Sequence, residues 1–216
     1  LPDSFLLNMS QDNALLPLFP LKTVLFPGGI LPLKVFEARY VDMLRERVRQ
    51  NAPFGVVLIK AGQEAGSAAE PEQVGCLAHI SQSDMSGIDA MTLRAIGGER
   101  FRILETRVLP DQRLEARIEM IATDPDIPIS EIHVSCAKTL KLVLDDIDAR
   151  GQAEHGDAFD SPFARPMQLE NAAWVANRWC EILPIPLKAR QKLLELDNAE
   201  SRLSIVYQYL QQHKIL

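Results

Sequence analysis

The sequence predicts an α+β fold: a β-rich unit of mostly antiparallel strands with one helix, followed by a helical bundle. Three observations lead there. Up to about Asp126 the apolar residues come in short runs, some of them alternating, as in strands half-buried in a sheet. Clusters of Gly, Pro and polar residues separate these runs. Beyond Asp126 the apolar residues recur at helical spacing. Strands first and helices second mark segregated halves rather than βαβ units. The β unit is placed at residues 16–126 and the helical unit at 127–216. An N-terminal extension covers residues 1–15, in which Met9 reads as the native start and residues 1–8 as added or upstream sequence.

The strands are expected at Leu16–Leu21, Ile30–Val35, Phe54–Ile59, Gly75–Ser81, Ala90–Ile96, Arg100–Thr106 and Arg113–Ile121. The last alternates clearly, with Leu114, Ala116, Ile118 and Met120 on one face. Turns are expected at Pro27-Gly28-Gly29, Ser86-Gly87, Gly97-Gly98 and Pro110-Asp111. One helix interrupts the strands. Phe36, Tyr40, Met43, Leu44 and Val48 follow its period, Asn51 and Pro53 close it, and Arg39, Arg45, Arg47 and Arg49 cover its outer face.

In the second half, Ser130 is the expected N-cap of a helix carrying Ile132, Cys136, Leu140, Val143, Leu144 and Ile147, with Gly151 ending it. Residues 151–166 read as a polar loop. Leu169, Ala172, Ala173, Ala176, Cys180 and Leu183 line a helix that Pro184 stops, and a shorter helix spans Leu187–Leu196. Asp197 and Glu200 form a capping-box-like start for a last helix bearing Leu203, Val206, Tyr207 and Leu210.

Composition narrows the function. A chain of 216 residues can bury a core without disulfides or metals. A net charge of -6 disfavours nucleic acid, whose phosphates call for clustered Lys and Arg. Cys76, Cys136 and Cys180 are isolated and odd in number, which suits free thiols in a reducing compartment, with a cytoplasmic location expected. The most apolar stretch is broken by Pro17, Pro20, Lys22, Pro27 and Pro32, and the first residues lack a basic leader, so neither a membrane span nor a signal peptide is read.

Motifs for chemistry are scarce. There is no G-x-x-x-x-G-K-[ST] phosphate loop, G-x-S-x-G elbow or H-E-x-x-H pair. His79, His133, His155 and His213 are scattered. The carboxylates Asp145, Asp146, Asp148, Glu154, Asp157 and Asp160 around His155 lack calcium-loop spacing and read as an acidic, hydrated stretch. Trp174 and Trp179 lie on different faces of one helix, one suited to the helical core and the other to the junction of the halves. No catalytic residue, metal or cofactor is therefore expected.

The run Pro17-Leu18-Phe19-Pro20-Leu21, Val24-Leu25-Phe26-Pro27-Gly28, Leu31-Pro32-Leu33 and Phe36-Glu37-Ala38-Arg39-Tyr40 resembles the opening of the Lon protease N-terminal domain. Further similarity lies in Phe54-Gly55-Val56, in Val74-Gly75-Cys76-Leu77-Ala78-His79-Ile80, in Gly97-Gly98-Glu99-Arg100-Phe101-Arg102-Ile103, read as a hairpin, and in Leu183-Pro184-Ile185 with Arg190–Glu195. The resemblance covers nearly the whole chain from Leu16. It implies a PUA-like β subdomain, similar to that of cereblon-type proteins, and a helical bundle. It also implies substrate recognition without the family's ATPase and Ser-Lys protease domains, so the chain looks like a free-standing bacterial member.

The expected function is thus a non-catalytic module that binds unfolded or exposed apolar polypeptide segments, with an adaptor role in protein quality control beside a separate protease. The alternative is a sensor holding a small ligand in a PUA-like pocket. The candidate contacts are Phe26, Pro27, Ile30 and Leu31, with Met85, Ile88 and Met91 as a second cluster. Core packing is the competing role for each. Phe19, Phe26, Phe36 and Phe101 are expected core anchors, and Glu37 is expected to pair with Arg39 or Arg100.

Overall fold

The computed structural model describes residues 15–84 and 90–216. Its strands are β1 (Leu16–Leu21), β2 (Ile30–Val35), β3 (Phe54–Ala61), the two-residue β4 (Glu70–Pro71), β5 (Val74–Asp84), β6 (Met91–Val108) and β7 (Leu114–Met120). Helix α1 (Ala38–Gln50) lies between β2 and β3, and Asn51 ends it in the left-handed conformation. The helices α2 (Val134–His155), α3 (Ala172–Ile182), α4 (Leu187–Glu195) and α5 (Ala199–Gln212) follow the strands.

Five strands close on themselves. β1 pairs with β7, β7 with β6, β6 with β5 and β5 with β3, all antiparallel, and β3 returns to β1 in parallel. Leu18, Val57, Leu77, Phe101, Leu114 and Ala116 form one buried cluster contributed by all five strands, so this face is the inside of the ring. Two glycines make room for Phe101. A β-carbon on Gly75 would lie 2.6 Å from its ring and 2.5 Å from the Val56 carbonyl oxygen, and one on Gly55 would lie 2.8 Å from the ring. The ring is filled by side chains.

The other faces of β1, β3 and β5 pack against α1 and β2 through Phe19, Val35, Tyr40, Met43, Leu44, Phe54, Val56 and Ala78. Phe19 stacks on Tyr40 at 4.4 Å between ring centroids. The helices surround a third cluster, into which Val24, Phe26, Leu58 and Val74 project from the β side. Trp179 anchors it, with Nε1–H donating to the Cys136 carbonyl at 3.0 Å. Buried polar groups close the seam. Arg100 and Arg202 both contact Asp124, at 3.3 and 2.9 Å, and both donate to carbonyls around the end of α4. Gln191 donates to the Val74 carbonyl.

Several local expectations need correction. Gly97-Gly98 is not a turn: β6 runs through it as one 18-residue strand. The glycine serves close approach, because a β-carbon on Gly97 would fall 2.1 Å from the Phe26 carbonyl oxygen, and the Pro27–Gly29 turn bonds to Gly97 through Gly28 N–H and Gly29 C=O. Gly151 does not end α2; the Phe159 ring lies where its β-carbon would be, and the helix continues to His155. Phe36 is no core anchor. It is 64% exposed, because it follows Pro32 and Lys34 on the outer face of β2 and precedes the first turn of α1. Ile132 lies in a short 3-10 turn ahead of α2 and is exposed. Asn198, not Asp197, caps α5, accepting from Ser201 N–H. Glu37 pairs with Arg39, whereas Arg100 turns to Asp124. The Ser86-Gly87 turn lies outside the described residues.

Candidate functional site

Among the described residues, β2 is hydrogen-bonded to β6 alone. The pairing runs from Ile30 opposite Ile96 to Val35 opposite Met91. Pro32 has no N–H, and it sits in the strand without interrupting the ladder, so its position faces away from β6. Gly29, one residue before the strand, turns its carbonyl toward β6. The backbone groups of Ile30, Pro32 and Lys34 therefore point to the open edge, and those of Leu31, Leu33 and Val35 to β6.

A groove of about 640 Å³ runs along this open edge, between β2 and the end of β1. Leu31, Leu33 and Tyr40 form its apolar part together with Leu21, and Phe36 stands exposed at its end. Burial pushes the Tyr40 phenol up, against the pull of the Arg39 guanidinium 4.7 Å from its ring, so it stays neutral. Lys22 and Lys34 are exposed beside the groove, and Lys34 Nζ lies 5.3 Å from the Phe36 ring centroid. A second groove, of about 680 Å³, lies on the outer face of β2 and β6, where Ile30 and Pro32 face Ala158, Phe159 and Pro162. Arg94 crosses it to Asp160 and to the Ser161 carbonyl.

The candidate contacts read from the sequence separate here. Ile30 and Leu31 line the edge groove. Phe26 and Met91 are each 0% exposed and take the packing role. Pro27 lies at a different pocket, on the seam between β6 and α3. Met85 and Ile88 lie outside the described residues. Leu33, Tyr40 and Phe36 were missed as groove residues. The parity of Pro32, Lys34 and Phe36 carried the signal, since a proline inside an alternating run marks an edge strand.

The nucleophile inventory is unpromising. Cys76, Cys136 and Cys180 are buried, and burial pushes all three thiols up, Cys136 to about 11 and Cys180 to about 12, away from the thiolate. Around His155, four of the six carboxylates answer cations: Asp145 to Lys141, Asp146 to Arg150, Asp148 to Arg165 and Asp160 to Arg94. No helix among the described residues is long and apolar enough to cross a membrane.

The profile of the ATP-dependent protease La (LON) substrate-binding domain matches residues 15–212. The chain belongs to the Lon substrate-binding domain family. It is 27% identical over 214 residues to a Lon protease of Anaeromyxobacter dehalogenans, covering 97% of this chain and 24% of that protein. Protein cereblon of Danio rerio is 30% identical over 110 residues, covering 49% of this chain and 25% of cereblon. The chain thus spans about a quarter of the length of these relatives. Among solved structures, a Lon N-terminal domain protein from Xanthomonas campestris superposes with a TM-score of 0.71 at 30% identity, covering 89% of this chain and 96% of that one. The N-terminal domain of a Mycobacterium avium complex Lon protease has the same fold, with a TM-score of 0.58 at 16% identity, covering 93% of this chain and all (100%) of that one.

Proposed function

We propose that this Lon-family domain is a non-catalytic module that binds exposed apolar polypeptide segments by strand addition at the open edge of β2. The observation that carries the reading is an edge strand whose outward backbone groups lie beside an apolar groove ending in the exposed Phe36. An incoming extended segment would gain main-chain hydrogen bonds from β2, and its alternate side chains would enter the groove over Leu31 and Leu33. Pro32 and Lys34 protect such an edge from indiscriminate pairing. The chain works as a cytoplasmic adaptor in protein quality control, presenting polypeptides to a separate ATPase-protease. It divides near residue 126 into a β unit and a helical unit.

The alternative of a ligand held within the barrel is weakened by the packing of Phe101, Leu18, Val57 and Leu77, which fill the ring. The test is titration of the ¹⁵N-labelled chain with an unfolded model polypeptide. Amides of Ile30, Lys34 and Phe36 should shift together. No shift up to about 1 mM, the weak end of specific affinity, contradicts the reading.

A further inference from the structure

We propose that the pocket at the seam between β6 and α3 binds a carboxylate bearing a small apolar group. This pocket of about 360 Å³ is separate from the β2 edge, and the inference does not rest on reading that edge as a polypeptide site.

Its polar wall holds three donors beside the carboxylates of Asp124 and Glu99. Asn177 is 3% exposed, and its Oδ1 accepts from Arg202 Nη1 at 3.0 Å, which fixes Nδ2 as the other end of the amide. No described residue accepts from that Nδ2. Arg100, also 3% exposed, spends Nη1 on the Leu194 and Leu196 carbonyls and Nη2 on Asp124. Its Nε–H has no partner among the described residues. The first turn of α3 adds a third donor. Ala172 N–H goes to the Ile127 carbonyl and Trp174 N–H to Asn171 Oδ1, which leaves Ala173 N–H without a partner among the described residues.

Two cations lie behind these donors. Arg100 and Arg202 are two buried guanidinium groups sharing the single carboxylate of Asp124. The carbonyls at the end of α4 solvate them from one side, and the seam pocket meets Arg100 from the other. Asp124 and the nearby Asp197 offset these two cations, so an acceptor carrying a single charge, such as a carboxylate, fits the three donors better than a phosphate dianion. Trp174 and Pro27 supply the apolar wall for the substituent. Glu99, the remaining lining carboxylate, is half-exposed at the rim, 3.9 Å from His79, where water screens it.

Such a carboxylate comes either from a free small acid or from the C-terminus of a polypeptide. The test uses the whole ¹⁵N-labelled chain with N-acetyl-leucine, N-acetyl-leucinamide, and a leucine-ended tetrapeptide in free-acid and amidated forms. For ligands this small a Kd of about 1 mM is expected, so titration runs to roughly 20 mM. The acids should shift the Asn177 side-chain amide and the Trp174 indole N–H, with the amides at least about tenfold weaker. A tetrapeptide acid that binds more tightly than N-acetyl-leucine names the polypeptide end as the source, and equal affinity names the small acid. Asn177→Asp keeps the oxygen that Arg202 needs and replaces the donor with an anion, so it should fold and lose binding at least about tenfold. The acid-against-amide comparison on the unaltered chain stands whether or not that variant folds. Amides binding as well as acids, unchanged binding by Asn177→Asp, or no shift at all overturns the proposal.

Discussion

The two halves of β6 have different fates. From Arg100 to Ile103 the strand is enclosed: β5 and β7 flank it, Phe101 fills the ring, and Arg100 crosses the seam into the helices, whereas Leu104 to Val108 pair with β7 alone and are exposed. From Met91 to Ile96 it lies between β5 and β2, and among the described residues no further strand pairs with β2, although Gly29, just before it, bridges Phe163. One half shows how this domain is held together; the other shows where it is left incomplete. Between them, Gly97 receives the Pro27–Gly29 turn. If this division is right, substitutions around the enclosed half should cost stability, and those on the open half should cost binding.

The largest effect is expected at the seam. Asp124→Ala leaves Arg100 and Arg202 buried without their carboxylate and should cost about 3–5 kcal/mol in urea unfolding. Gly75→Ala drives a β-carbon into the Val56 carbonyl and the Phe101 ring, and should cost about 3 kcal/mol. A tolerated alanine there would break the contrast by showing that the ring is loosely filled.

Much of this fold was legible in the sequence, and the exceptions share a cause. β1, β2, α1, α4 and the Pro110 turn follow from local pattern, since alternation, helical period and turn chemistry act over neighbouring residues. Gly97 and Gly151 read as breaks in the sequence because a glycine needed for a tight distant contact looks the same there as a glycine needed for a turn. Phe36 reads as core because its spacing fits the helix, whereas it continues the outer face of β2. The site was less legible. Ile30 and Leu31 fall in the edge groove, but the openness of an edge is set by which strands lie beside it, and no local pattern reports that. Family membership did not locate it either, since Pro17, Gly55, Gly75 and Phe101 belong to the ring.

The junction between the halves offers a pH test of intermediate size. Arg178 is fully buried and donates to the Pro27 and Gly28 carbonyls, and Glu181 pairs with it at 2.7 Å. Burial outweighs the pull of Arg178 and pushes the Glu181 carboxyl up to about 7 from an ordinary 4.5. The folded state therefore holds this proton more tightly than the unfolded state does. Ionisation of Glu181 costs the fold nothing below about pH 4.5, and the cost grows as pH rises through about 7. Glu181→Gln mimics the protonated group, so its Tm relative to the unaltered chain should rise between pH 5 and 8. A constant difference contradicts this assignment.

The smallest effect on stability is expected on the open half. Phe36→Ser removes an aromatic that is 64% exposed and should change stability by no more than about 0.5 kcal/mol. It should nevertheless weaken polypeptide binding in a calorimetric titration. A large loss of stability would mean that Phe36 is part of the packing after all.

The most direct test of the open edge is Lys34→Pro. Residue 34 shares the parity of Pro32, so the substitution deletes an outward-facing N–H and keeps the ladder to β6. Binding of an unfolded polypeptide, measured by calorimetry, should weaken at least about tenfold, the loss of roughly one charge-free main-chain hydrogen bond, with Tm nearly unchanged. Unchanged affinity in a folded Lys34→Pro chain would contradict strand addition at β2.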